Sequence, residues 1–247
     1  MGARLRSYLA ASCVVVLATQ SAAGSEPRTE ASGAVALKLI AQCKAASGGA
    51  ALDRPAAFHE AGTIVRDGHA GTYEMYADLH ALRTAGIHTL DGKVGGGGFD
   101  GQSAWHVGAD GKVVISHDAA ELAGERSGAY VTIGGYFYPD RFPARFRYLG
   151  RKAAGGASYD VIEVTPAQAL PVSLWLDIRT HRLARLSAAD GADQLQGEVL
   201  AYRRVNGTWI GFKNRQREGA HAMIQTLATY DYVPLDPARF APPALPH

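Results

Sequence analysis

Two hydrophobic periods divide the chain. From Ala34 to Ala46 the apolar positions Ala36, Leu39, Ile40, Cys43 and Ala46 fall on one face at helical spacing, with Lys38 and Gln42 off it. Ser32 is a candidate N-cap and Gly48-Gly49 a stop signal. Beyond this helix the period drops to two. Short alternating runs are separated by Asp67-Gly68, Asp91-Gly92, Asp100-Gly101, Asp110-Gly111, Asp190-Gly191 and Asn206-Gly207. Asp, Asn and Gly tolerate positive φ, so these pairs favour tight hairpin turns. The pattern predicts strands at 58–66, 71–79, 84–90, 93–99, 102–107, 112–117, 145–151, 158–165, 171–178, 182–188, 195–205, 208–217 and 220–231. Between Asp118 and Gly134 the alternation stops, and one or two short helices are expected, with Ala119, Leu122 and Ala123 as the apolar face.

These elements predict a mostly β fold with helices (α+β). A large curved antiparallel sheet forms an open, incomplete barrel, partly covered by the N-terminal helix and the mid-chain helical insertion. Such a sheet has one covered face and one wet face. Four segments are expected: 1–23 as a signal peptide, 24–33 as a flexible leader, 34–233 as the sheet domain, and 234–247 as a proline-rich tail extended over the surface.

The run Gly95–Gly98, continued to Gly101, satisfies G-x-G-x-x-G at Gly96, Gly98 and Gly101. A dinucleotide fingerprint needs a helix to open behind the glycines, because the helix N-terminus holds the pyrophosphate. Here a turn and another alternating strand follow. The glycines are therefore read as backbone punctuation that lets a strand bend or approach another closely. Trp105 is read as a packing anchor on a sheet face.

The first residues carry Arg4 and Arg6, an apolar run from Tyr8 to Ala18, and Ser21-Ala22-Ala23, which is the anatomy of a secretory signal cleaved after Ala23. The apolar run falls short of the roughly 20 residues that span a bilayer. A lipoprotein signal ending at Cys13 is the minority alternative, since the most apolar stretch follows Cys13. Removing the leader takes Lys+Arg from 25 to 23 against 23 Asp+Glu, a formally neutral chain with His uncharged. The basic residues are scattered, so no nucleic-acid partner is expected. Cys43 then remains alone, which excludes an internal disulfide and fits a small buried hydrophobe. The expected location is the periplasm, and the mature chain holds no expected membrane span.

Catalytic signatures are missing: no G-x-S-x-G, C-x-x-C, H-E-x-x-H or Walker A occurs. His117 and Glu121 stand four apart on the expected insertion helix, but two ligands are too few for a zinc site. Glu74 and Asp78 share a strand side with Tyr76 and are read as solvent-exposed; Asp177 and Arg179 are read as a turn pair. No catalytic residue, metal or cofactor is assigned.

The stretches "ASGGAALD" (46–53), Gly62, "GTYEMYADL" (71–79), "GGFDGQSAWHVGADGKV" (97–113), "VSLWLDIRTHRLARL" (172–186) and "YRRVNGTWIGF" (202–212) occur in this order. Together they resemble periplasmic outer-membrane lipoprotein-carrier proteins, and more closely the carrier-like domain that precedes a retropepsin-like aspartyl protease. The resemblance implies an open barrel closed on one side by helices, with an apolar cavity for acyl chains. No Asp-Thr-Gly or Asp-Ser-Gly triplet is present, so the protease half is missing, and no cavity arginine of the carriers is carried over.

The alternating faces supply candidate cavity-lining residues: Leu90, Phe99, Trp105, Ile162, Val164, Leu174 and Leu176. The same alternation is equally compatible with a fully packed core. The function expected is non-catalytic binding of a lipid, acyl chain or other amphiphile. The alternatives are a docking module for an envelope protein partner and an unrecognised hydrolase.

Overall fold

The computed structural model describes residues 26–108, 110–188 and 196–243. The expected signal peptide, Cys13, the Asp190-Gly191 turn and the last four residues lie outside these.

Helix α1 (Glu26–Ser47) is followed by β1 (Ala57–Arg66), β2 (His69–Asp78), β3 (Arg83–Leu90), β4 (Lys93–Phe99), β5 (Ala104–Val107) and β6 (Val113–Ser116). Helix α2 (Ala119–Thr132) then leads to β7 (Ala144–Ala154), β8 (Ala157–Pro166), β9 (Val172–Asp177), β10 (Leu183–Ala188), β11 (Gln196–Val205), β12 (Thr208–Glu218) and β13 (His221–Val233). All join one open antiparallel sheet in the order β6-β5-β4-β3-β2-β1-β13-β12-β11-β10-β9-β8-β7. The sheet is thus two meanders, β1–β6 and β7–β13, joined where the first strand pairs with the last. Among the described residues, four two-residue turns carry positive φ at both central positions, as type I′ requires: Asp67-Gly68, Asp91-Gly92, Gly155-Gly156 and Asn206-Gly207.

One face of the sheet carries the helices. Ala36, Ile40 and Cys43 of α1 are buried against Phe58, Ala77, Ile162, Val164, Leu174 and Leu176, together with Tyr130 of α2 and Tyr136. This inner core follows the periodicity closely, because each strand offers it every second side chain.

The helix begins earlier than the sequence pattern suggested. Residues 26–33 are helical, so the expected leader does not extend past residue 25, and Ser32 lies inside α1 instead of capping it. Its hydroxyl faces the sheet: Ser32 Oγ donates to the Tyr148 carbonyl at 3.1 Å and accepts from the Tyr148 N–H at 2.9 Å. This bond pair ties α1 to β7, whose outer edge has no strand neighbour among the described residues. Helix α2 is capped by Asp118, whose carboxylate accepts from the Ala120 and Glu121 amides. Its buried positions are Gly124, Glu125, Ser127, Ala129 and Tyr130, while Ala119 is exposed. The expected face at Ala119, Leu122 and Ala123 was too early in the helix. The buried stretch mixes small and polar residues with one aromatic, Tyr130, and Ser127 offsets its burial by donating to the Leu170 carbonyl and accepting the Leu170 N–H.

The C-terminal segment is more than a surface tail. A short 3-10 turn at Pro237–Phe240 buries Phe240 against Ala85, Trp105 and Val107 on the outer face.

Candidate functional site

Cross-strand register decides which side chains can share a cavity. On the inner face the row Phe58–Ala77–Thr84–Phe99 runs across β1 to β4. Phe99 in turn pairs with Ala104 on β5. The next residue, Trp105, therefore points to the outer face, since successive side chains alternate. It lies over Gly98, where an added Cβ would come within 2.6 Å of the indole. Of the seven candidates, Trp105 alone faces away from the helices.

The remaining six lie on the inner face in solid packing. Ile162, Val164, Leu174 and Leu176 are between 0 and 3% exposed and form the floor beneath α1. Phe99 is fully buried below α2, with the Arg126 guanidinium 5.5 Å from its ring centroid. Leu90 packs with Ile64, Tyr73 and Met223, away from both helices.

The space is elsewhere. A cavity of about 170 Å³ lies between α2 and the inner face. One wall is Met75 on β2, Thr84, Ala85 and Gly86 on β3, and Gly97 and Gly98 on β4. The opposite wall is Leu170, Pro171, Val172, Leu186, Ser187 and Ala188, with Gln216 at the end. Helix α2 roofs it with Gly124, Ser127, Gly128, Ala129, Val131 and Thr132. None of the seven sequence candidates is among these residues. The hollow exists because glycine and alanine meet glycine: on the inner face Gly86 and Gly97 stand across from Gly124, Gly128 and Ala129 of α2. Large apolar side chains fill space, so a search for them finds the core. The signal for the cavity was the glycine run itself together with the two glycines four apart in α2.

Farther along β1–β3 the inner face turns polar. Glu60 pairs with Met75 and Tyr230, and its carboxylate accepts from Tyr73. Burial pushes the Glu60 carboxyl up to about 7, against the opposing Tyr73 hydrogen bond. His88, on the same face, is held below the ordinary imidazole value by burial and then by the nearby Arg66 charge. The Cys43 thiol is buried under α1 and pushed up to about 12 by desolvation, which the Ser47 hydrogen bond only partly opposes. A thiol in that state is a packing group.

The polar pairs singled out in the sequence resolve into local structure. His117 precedes the α2 cap, and Glu121 accepts from Ser116 and lies 3.8 Å from His106. Asp78 is fully buried, not solvated. It takes the Arg83 guanidinium and the His80 and Ala81 amides, which builds the β2–β3 turn. Glu74 is exposed as expected. Asp177 accepts from the Arg179 and Thr180 amides in the β9–β10 turn.

The open antiparallel sheet, with its helices on one face and a hollow beneath α2, is a fold the chain shares with solved proteins. A LolA superfamily protein from Nitrosomonas europaea superposes with a TM-score of 0.55 at 9% identity, covering 84% of this chain and 97% of that one. A DUF1329 family protein from Desulfovibrio piger gives 0.55 at 13% identity, covering 85% and 97%. A putative outer membrane lipoprotein-sorting protein domain from Vibrio parahaemolyticus gives 0.52 at 11%, covering 84% and 97%. No family model matches the sequence, and no curated protein matches it. At such identities the likeness is one of fold, and it does not extend to the retropepsin association. Among the described residues no helix is long and apolar enough to cross a membrane.

Proposed function

We propose that this chain is an exported, non-catalytic binding protein that holds an acyl chain or similar amphiphile between α2 and the inner face of the sheet. The observation that carries the reading is the hollow walled mostly by glycine, alanine and aliphatic side chains, with a few hydroxyls and the Gln216 amide among them. Pockets of this composition suit apolar ligands, with burial contributing about 25 cal/mol per Å² of apolar surface. The fold likeness to a putative lipoprotein-sorting domain supports the same class.

Size sets the mechanism. An apolar cavity of about 150 Å³ accommodates a molecule the size of benzene. At 170 Å³ the hollow takes the end of an alkyl chain, and a longer chain requires α2 to lift. The helix is suited to that. Beside the hollow it presents small residues, with Tyr130 as its one large side chain fully buried in the core, and it is hydrogen-bonded to the neighbouring loop by Arg126 to the Gln168 carbonyl and by the Ser127–Leu170 pair. The cargo enters the space that the moving roof vacates, and Phe99 and Met75 line its path.

The test is titration of delipidated protein with a fluorescent fatty acid. Saturable binding that a saturated fatty acid displaces is expected. A probe signal that stays flat to the solubility limit removes the reading. Native mass spectrometry of the protein from a periplasmic extract is expected to show cleavage after Ala23 and to retain a bound lipid. An empty protein recovered in complex with an envelope protein would favour the docking role instead.

A further inference from the structure

The outer face of the second meander carries a groove of about 550 Å³ that the inner cavity does not explain. Its floor is one cross-strand row. Trp175 on β9 lies opposite Arg185 on β10, Arg185 opposite Glu198 on β11, and Glu198 opposite Arg215 on β12. Arg217 and Lys152 stand at its sides. Four cationic groups thus face a single carboxylate. Directly opposed side chains on one sheet face normally alternate in sign, because like charges there repel. Here Glu198 is shared, accepting from both Arg185 and Arg215, and it fixes the two guanidiniums near each other without neutralising the groove.

The donors are also held in place. Arg185 stacks 5.0 Å from the Tyr159 ring centroid, and Lys152 sits 5.5 Å from that of Trp175. Trp175 Nε1 donates to Ser187 Oγ at 3.2 Å, which leaves the Ser187 proton to be given to another acceptor. Arg185 Nε is buried and has no acceptor among the described residues. A buried donor without an acceptor is costly, and native structures keep few of them.

We propose that this groove binds a phosphate-bearing anion through Arg185, Arg215, Arg217 and Lys152, with the Ser187 hydroxyl as an additional donor. Guanidinium forks match the paired oxygens of a phosphate, and Arg185 and Arg215 enter prepositioned by Glu198. The phosphate comes either free in solution or as the headgroup of an anionic lipid. The site stands on the opposite side of the sheet from the hollow and does not depend on that hollow being filled.

The experiment uses the full mature chain, with inorganic phosphate followed by calorimetry and vesicles of phosphatidylglycerol or phosphatidylcholine followed by co-sedimentation. The comparison variant is Lys152→Gln/Arg217→Gln. Both positions are exposed, so the fold is retained, which circular dichroism verifies. Phosphate binding that weakens at least tenfold in the variant supports a site for the free ion. Sedimentation with phosphatidylglycerol but not phosphatidylcholine, lost in the variant and at high salt, supports a headgroup site. Failure to bind either probe overturns the proposal, and so does binding that the variant leaves unchanged.

Discussion

The indole Nε1 of Trp105 donates to the backbone carbonyl of Phe240 at 3.0 Å, across 135 residues of sequence. Phe240 is only 2% exposed, and the Arg83 guanidinium sits 5.1 Å from its ring centroid. The C-terminal segment therefore closes the outer face over β3 to β5. Phe240→Ala is expected to cost about 3 kcal/mol, since it empties a buried aromatic site. Urea denaturation measures the loss, and Trp105 emission should shift red as water reaches the indole.

Gly98 has a packing reason to be glycine. An added Cβ would lie 2.6 Å from the Trp105 ring and 2.8 Å from the Thr84 carbonyl oxygen. Gly98→Ala should destabilise by about 1–3 kcal/mol, the usual range for overpacking. A Tm unchanged within one degree would contradict the close approach described here.

The roof of the cavity can be tested separately from its floor. Ala129 is buried on α2 and lines the hollow. Ala129→Leu is expected to fill part of the space and weaken fatty-acid probe binding by about tenfold, the equivalent of roughly 1.4 kcal/mol. Circular dichroism should remain unchanged.

Glu60 gives a pH signature. Its carboxyl has a raised value in the fold, about 7 against the ordinary 4.5 of a glutamate. The folded state therefore binds more protons than the unfolded state between these values, and stability falls as pH rises across that window. The contribution is fully present below 4.5 and is lost above about 7. His88 acts the other way: its lowered value removes stability as pH falls through the ordinary imidazole range. The informative quantity is thus the difference between wild type and Glu60→Gln. The variant should match wild type near pH 4.5 and exceed it in Tm near pH 8. Parallel Tm curves across the range would show that Glu60 is well solvated.

Cys43 should be silent. With its thiol buried and pushed up to about 12, a maleimide at pH 7 should not label Cys43 in the native state within hours. Labelling should be complete in urea, read by peptide mass.

The strands were legible because sheet geometry writes itself locally. Alternation fixes the faces, and Asp-Gly or Asn-Gly fixes the turns, so every strand expected from the pattern is present within a few residues of its predicted ends. The start of α1 was not, because residues 26–31 are polar and carry no apolar stripe, and Ser32 resembles a cap while acting as a tie to Tyr148. Trp105 was assigned to the wrong side for a reason of parity. Its face depends on which residue of β5 pairs with Phe99, and that register is set by the Asp100 turn, whose carboxylate takes the Gln102 and Ser103 amides. The hollow was hardest to see, since it is made by absent side chains. The basic row at Arg185, Glu198 and Arg215 was equally hidden, as its members are scattered in sequence and converge only through strand pairing.

The joint between the two meanders has a mechanical meaning. Opposite walls of the hollow belong to different fans of strands, and among the described residues those fans are hydrogen-bonded to each other along β1 and β13. That ladder carries a register slip at Ala61/Gly62, where Gly62 admits the Thr226 carbonyl so closely that a Cβ would sit 2.2 Å from it. A bulge of this kind adds local twist. The two walls are accordingly linked through one bulged ladder, with α2 strung across as the tether from the end of the first fan to the start of the second.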